Sequence, residues 1–302
     1  MKPIHFHAIF NADARSGEPP AAADYLTLHL REAGQEITVM LARHGDEIET
    51  CVRRALDADA EVLIAGGGDG TINAVASHLV GRDETLGVLP LGTLNHFAQA
   101  LGIPEAPQAA AQVLLDGART QVDVGEINGK YFLNNSSLGL YPHLVRRRER
   151  ERAHFGIGKW PALLLATISV LRRYPFFDVR LNVDGKTISR RTPFVFIGNN
   201  EYKMSGLQAG QRDRLDAGIL SVYVAHRTGR WGLLRLALRV LFGNVREAKD
   251  FDVFLATEVT IETRHKRLLV SMDGEVANMN SPFCYRIHPR ALNVLVPKPE
   301  LA

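Results

Sequence analysis

Residues 61–73 read EVLIAGGGDGTIN: an apolar, strand-like run, then Gly66, Gly67, Gly68, Asp69, Gly70 and Thr71, then residues with helical spacing. Positions without side chains between a strand and a helix let backbone N–H groups close on an anion, and the positive end of the helix dipole lies at the same place. Thr71 can cap that helix or hydrogen-bond a phosphate oxygen. Asp69 is the odd member, because a carboxylate in a phosphate cradle is repulsive unless it organises a metal ion or a hydroxyl. It is therefore a candidate catalytic residue and a candidate ligand for Mg²⁺, directly or through water. A second loop of the same kind occupies residues 89–98 (LPLGTLNHFA), where Gly92 permits close approach and Thr93 and Asn95 supply uncharged donors. The first strand ends in a third polar loop, which contains Asn11 and Ser16. The pattern is not G-x-x-x-x-G-K-[ST], and Thr71 stands where a dinucleotide fingerprint needs its third glycine. A Walker A loop and the Rossmann fingerprint are thus both excluded.

The elements around these loops follow from periodicity. Residues 5–10 alternate apolar and polar as a strand does. Residues 21–33 have helical spacing, with Leu26 and Leu30 on one face and Gly34 at the expected end. Strands then follow at 37–41, 61–65 and 86–89, and helices at 46–58, 71–80, 94–101 and about 105–116. Short apolar strands between helices predict a mostly parallel sheet with ligands at its carboxyl edge. After about residue 120 the pattern changes. Segments 122–127 and 130–135 flank Asn128-Gly129, and segments 178–183 and 186–197 flank Asp184-Gly185, so each pair reads as a hairpin. Further strands are expected at 219–225, 253–263, 268–272 and 293–296, with helices at 160–173 and 230–242. The expected architecture is an α/β domain over residues 1–121 and a largely antiparallel β-sandwich domain over residues 122–302.

Composition supports two globular domains: 302 residues, 46% hydrophobic and 23% charged, exclude a disordered chain and a collagen-like one. Two cysteines, Cys51 and Cys284, cannot form a disulfide framework and fit a reducing compartment. The N-terminus turns polar after Phe10, unlike a secretory signal, and the longest apolar run, 161–171, is about half the roughly 20 residues of a spanning helix. The charge is split. Residues 1–121 carry 8 Lys and Arg against 16 Asp and Glu, and the remainder carries 28 against 17. A basic second half suits anionic lipid, nucleic acid or a phosphorylated substrate, or is simply a solvated surface. The run RRRERER at 146–152 reads as a solvated helix face or an anchor on anionic headgroups, and the apolar helices at 160–173 and 230–242 read as core or interfacial helices. The histidines lack metal-ligand spacing.

Gly67-Gly68-Asp69-Gly70-Thr71, followed by Pro90-Leu91-Gly92-Thr93-Leu94-Asn95, resembles the diacylglycerol kinase catalytic domain. That group also takes in sphingosine and ceramide kinases and bacterial lipid kinases, with NAD kinases as distant relatives. The likeness continues through residues 122–139 and through Asp273-Gly274-Glu275. The resemblance implies a nucleotide site formed by Asn11, Ser16, Arg43, Gly66, Gly67, Gly68, Asp69, Gly70, Thr71, Thr93 and Asn95. It implies a catalytic base that is either Glu275 or Asp273. Bacterial members have a structural metal at a segment matching residues 212–219; here Asp213 and Asp216 remain as candidate ligands, but Ala217 replaces an acid, and the flanking Arg212 and Arg214 offer the two acids ion-pair partners in place of a metal. The implied activity is transfer of phosphate from ATP, with Mg²⁺, to a lipid hydroxyl of diacylglycerol, a related glycerolipid or a sphingoid base. A cytoplasmic protein working at a membrane surface is expected, with no nucleic-acid partner and with a homodimer allowed. The alternatives are a NAD kinase-like enzyme acting on a soluble nucleotide and a catalytically weak regulator that binds lipid or nucleotide.

Overall fold

A computed structural model describes residues 4–13, 19–43, 45–139, 176–203, 211–226 and 251–298. The chain divides into two compact units, one of residues 1–124 with 289–302 and one of residues 125–288. The first unit runs β1 (His5–Asn11), α1 (Pro19–Glu32), β2 (Glu36–Ala42), α2 (Gly45–Asp57), β3 (Val62–Gly67), α3 (Asp69–Ser77), β4 (Thr85–Pro90), α4 (His96–Ala100) and α5 (Pro107–Asp116), and then enters β5 (Ala118–Ile127). Strands β2, β1, β3 and β4 pair in that order, all parallel. β3 and β4 are buried along their whole length, which is why both read as unbroken apolar runs. Helix α2 buries Ile48, Cys51, Val52 and Ala55, a spacing of three and four that keeps one stripe on the sheet. The chain leaves β1 toward β2 on one side and returns to β3 on the other. The order therefore reverses between β1 and β3, and the crevice at their carboxyl ends is the place an open sheet offers a ligand.

The second unit contains β6 (Lys130–Phe132), β7 (Asn135–Gly139), β8 (Phe177–Val183), β9 (Lys186–Thr192), β10 (Phe194–Asn199), β11 (Leu220–Ala225), β12 (Phe251–Ala256), β13 (Glu258–Thr263), β14 (Arg267–Met272) and β15 (Glu275–Asn280), and the start of β16 (Phe283–Val296). One sheet has the order β12-β11-β10-β7-β14-β15 and is antiparallel throughout. In the other layer β16 pairs with β13, β13 with β8 and β8 with β9, also antiparallel. Leu138, Val195, Ile197 and Val222 from the first sheet meet Leu181, Ile261 and Phe283 from the second in a core of fully buried side chains. Each such side chain contributes about 1.5–3 kcal/mol.

The hairpin turns are as the dipeptides predict: Asn128-Gly129, Asp184-Gly185 and Asp273-Gly274 all have positive φ at both residues. Two expected long strands are broken. Residues 186–197 divide into β9 and β10, with Pro193 between them, and residues 253–263 divide into β12 and β13 at Thr257. In both cases the chain changes sheets at the break, so it must turn a corner that apolar patterning does not reveal. The division of the chain also differs from a single boundary at 121. The end of β16 returns to the first unit, where Asn293 and Val294 pair in parallel with Thr85 and Leu86. The charge run at 146–152 and the apolar helices expected at 160–173 and 230–242 lie outside the described residues. Among the described residues no helix is long and apolar enough to cross a membrane.

Candidate functional site

The loops after β3 and β4 are locked to each other. Leu91 donates its amide to the Gly67 carbonyl at 2.9 Å. A Cβ on Gly92 would lie 2.5 Å from Gly68 Cα and 2.6 Å from Asn95 Oδ1, so only glycine allows this approach. Gly66 and Gly67 are likewise taken up by protein atoms, since a Cβ on either would strike the Phe10 ring or the Thr71 side chain at 2.5 Å. None of Gly66, Gly67, Gly68, Gly70 and Gly92 uses a positive φ. What the glycines supply here is closeness rather than left-handed backbone.

Asp69 is the first residue of α3, and Gly68, in extended conformation, is its N-cap. Thr71 therefore does not cap the helix. Its hydroxyl instead meets the Asn11 amide, Nδ2 to Oγ1 at 3.3 Å, across the reversal point of the sheet. The half-buried Asp69 carboxylate reaches into the neighbouring loop, where Oδ2 accepts the His96 amide and Oδ1 the Phe97 amide, each at 3.1 Å. It thus caps α4 from outside that helix, and its charge lies where the helix dipole favours an anion. Asn95, the formal N-cap of α4, is left-handed at φ 49 and buried. Its side chain both accepts from Gly92 N and donates to Gly92 O at 3.0 Å, closing the loop on itself. Thr93 is exposed on the same loop. Arg43 follows β2 on the same sheet edge, exposed, with its amide bonded to Glu47 at 2.7 Å. Asn11, Arg43, the Gly66–Thr71 loop, Thr93 and Asn95 therefore all stand at carboxyl ends of parallel strands, and Ser16 lies outside the described residues.

These groups fit a nucleotide tail and a hydrated Mg²⁺. The first turn of α3 presents amides that have no acceptor within the helix. Each Asp69 oxygen accepts one amide and retains a second lone pair for a metal-bound water. Among the described residues there is no cluster of three or more His, Cys, Asp and Glu side chains, so an ion here would draw most of its ligands from phosphate and water.

In the second unit, Asp273 and Glu275 sit at opposite ends of the β14–β15 turn and differ in kind. The Asp273 carboxylate accepts amides from Leu133 at 2.7 Å, Asn134 at 2.8 Å and Asn135 at 3.0 Å. Burial pushes its pKa up to about 6, against the pull of those three amides and of Arg212. The carbonyls of the same segment are held from the other side. Arg212 donates to Leu133 O at 2.8 Å and to Asn134 Oδ1 at 2.8 Å, and Tyr202 donates to Asn134 O at 3.0 Å. Asp273 is thus the acidic pin of a fully bonded peptide segment, whereas Glu275 is exposed. Asp213 and Asp216 each pair with a basic side chain: Lys203 lies at 2.5 Å from Asp213 and Arg214 at 3.0 Å from Asp216.

Residues 5–127 match the family model described as diacylglycerol kinase catalytic domain. Residues 146–296, half of the chain, match the one described as YegS C-terminal NAD kinase beta sandwich-like domain. The chain belongs to the diacylglycerol kinase catalytic-domain family. Among relatives of this family, a "Probable lipid kinase YegS-like" protein of Pseudomonas aeruginosa PAO1 is 49% identical over 111 residues, 36% of either chain. One of the same description from Chromohalobacter salexigens is 29% identical over 276 residues, covering 89% of this chain and 86% of that one. A "Diacylglycerol kinase" of Staphylococcus aureus JH9 is 28% identical over 204 residues, covering 67% and 64%. The crystal structure of a diacylglycerol kinase from Bacillus anthracis str. Sterne superposes with a TM-score of 0.73 at 21% identity, covering 99% of this chain and 98% of that one, a likeness of fold.

In this diacylglycerol kinase-family chain, the sequence motifs lead to two loops that the structure joins at one sheet edge, but not to the partners inside them. No motif marks Arg212, Tyr202 or Asn199, which donates to Leu133 O at 2.9 Å, as supports of the acidic triplet, and in the sequence Arg212 stands as a neighbour of Asp213 and Asp216. The signal lay in composition: Asn134, Asn199 and Asn200 are polar residues within strand-like surroundings, and all three are buried.

Proposed function

We propose that this chain is an ATP- and Mg²⁺-dependent lipid kinase that phosphorylates the hydroxyl of diacylglycerol or a related lipid. The observation that carries the reading is the Asp69 bridge to the amides of His96 and Phe97, which holds two glycine loops in one fixed edge at the carboxyl ends of β3 and β4. Phosphoryl transfer needs little from a protein beyond fixed positions for phosphates, a compensating charge and an acceptor for one proton. The α3 amides and Thr71 would grip the phosphates, and Asp69 would orient water on Mg²⁺, which supplies charge neutralisation. The lipid oxygen bonds to the terminal phosphorus, the bond to the bridging oxygen breaks, and ADP leaves. The hydroxyl proton passes to a carboxylate. Glu275 suits that role because it is exposed, whereas both oxygens of Asp273 are occupied by amides.

The test is ATP consumption with a panel of lipids in mixed micelles, with NAD as the control acceptor. Phosphorylation of a lipid hydroxyl supports the proposal. Phosphorylation of NAD and of no lipid would replace it with the NAD kinase-like reading, and nucleotide binding without turnover would replace it with the regulator.

A further inference from the structure

The β12-β11-β10-β7-β14-β15 sheet has a second face, turned away from the core shared with the other layer. Direct cross-strand pairing aligns one row on it: Val253, Tyr223, Phe196, Ser137, Ser271 and Val276. Its first half is aromatic. Tyr223 packs edge-on against Phe196 at 5.8 Å and against Phe251 at 6.3 Å, and Phe194 lies beside Phe196 at 6.3 Å. Its second half holds two hydroxyls, Ser137 and Ser271, opposite each other on adjacent strands, where Cβ atoms stand about 5 Å apart.

Both serines are buried, at 0% and 1% exposure, and neither Oγ has a hydrogen-bond partner among the described residues. Other hydroxyls in this sheet are satisfied: Ser221 donates to Asn200 O at 2.6 Å, and Ser136 bonds the Tyr285 hydroxyl at 3.1 Å. An unpaired buried hydroxyl costs about 1–3 kcal/mol, and a sheet that needed only small volume there would do better with alanine. Two such groups in register are a costly arrangement for the empty protein. An oxygen placed between them would satisfy both.

We infer that Ser137 and Ser271 are specificity-determining residues that hydrogen-bond the neutral oxygens of a glycerolipid backbone, with the acyl chains lying along the aromatic half of the row. The inference rests on the lipid-kinase reading and narrows it to a glycerolipid. A sphingoid base would bring an ammonium group, and no group of the row would pair with it at the serines: Phe196 and Val276 flank the pair, and the Asp273 carboxylate stands a further two residues along, bonded to three amides. Burying an unpaired ammonium there would be far more costly than burying an ester or hydroxyl oxygen. Phe196 and Val276, on either side of the pair, are half-buried. The acidic triplet begins two residues beyond Ser271 on the same strand and turn, a rise of about 7 Å. A lipid backbone held by the serines therefore has its hydroxyl end near the acidic turn.

The experiment compares wild type with Ser137→Ala, Ser271→Ala and the double variant, using 1,2-dioctanoylglycerol and sphingosine in mixed micelles. Melting temperature is measured without lipid, and KM and kcat at saturating ATP. The expected result is a melting temperature unchanged or raised, because an unpaired hydroxyl has been removed. KM for dioctanoylglycerol rises about 3- to 10-fold per serine, the worth of one hydrogen bond. A serine with a purely structural role would lower the melting temperature and leave KM alone. An unchanged KM in the double variant overturns the inference, as does a wild-type preference for sphingosine. The stabilisation of the protein by dioctanoylglycerol without ATP separates the two levels. A wild-type shift that the double variant loses, with no lipid turnover in either, sinks the kinase reading but keeps the seat. The absence of any wild-type shift sinks the seat itself.

Discussion

Replacing Asp69 by asparagine changes one atom type and almost no volume, yet the geometry predicts two separable effects. In the native chain both carboxylate oxygens accept amides, from His96 and Phe97, at 3.1 Å. Asparagine keeps one acceptor and turns an NH₂ toward the other amide, so one charge-assisted bond is lost and one N–H faces a donor. That costs about 1–3 kcal/mol at this half-buried site. The favourable charge at the start of α4 goes too, a further few tenths to about 1 kcal/mol. Native-state hydrogen exchange reads the effect where it occurs: the His96 and Phe97 amides should exchange about 5- to 150-fold faster. ATP-dependent turnover should fall steeply because the two loops no longer share one fixed edge. If those two amides stay as protected as in wild type while turnover collapses, Asp69 acts on the nucleotide or metal alone. If protection falls and turnover does not, the locked edge is irrelevant to catalysis and the reasoning fails.

Glu275→Gln should reduce turnover by about 10²–10⁴-fold with an unchanged melting temperature, because the proton acceptor that is lost is an exposed side chain. Asp273→Asn should do the reverse in stability, lowering the melting temperature through the three amides it serves; a stable Asp273→Asn protein would show that the pin is dispensable. The Asp273 pKa is raised to about 6, so its contribution to stability is present below the unfolded value near pH 4 and is lost as pH rises through about 6, by up to about 3 kcal/mol. Denaturant midpoints of wild type minus Asp273→Asn across pH 4–7 measure this; a difference that grows with pH would mean that the amides outweigh burial. Gly92→Ala should weaken nucleotide binding and destabilise the first unit, since the added methyl meets Gly68 backbone at 2.5 Å. Wild-type affinity in that variant, by titration with ATP, would show that the loops can part without loss.

The parts of the fold that were readable had local causes. Asn128-Gly129 and Asp184-Gly185 mark two-residue turns because both positions need positive φ, and the structure has it at all four. Helix α2 announces itself through Ile48, Cys51, Val52 and Ala55. The parts that were not readable have distant causes. The corners at Pro193 and Thr257 exist because a second sheet lies across the core, and the partners that join β16 to β4 stand 208 residues apart in sequence. Helix α4 is shorter than its apolar pattern, beginning at His96 rather than at 94, because Asn95 is left-handed and folded back on Gly92.

The same division governs the site. A missing Cβ is demanded equally by a phosphate that must approach the backbone and by another loop that must do so, and the two demands leave one signature in a sequence. Here the close contact between Gly68 and Gly92 and the Phe10 ring over Gly66 account for glycine without any ligand. The glycines therefore carry less information about phosphate than their number suggests. Asp69 carries more. An acid at the start of a helix is unremarkable, but one whose two oxygens serve a different helix 27 and 28 residues later joins the two loops into one surface. Its carboxylate keeps its charge, but that charge is directed at the two amides that open α4, and bound there it holds the remaining amides of the edge in place.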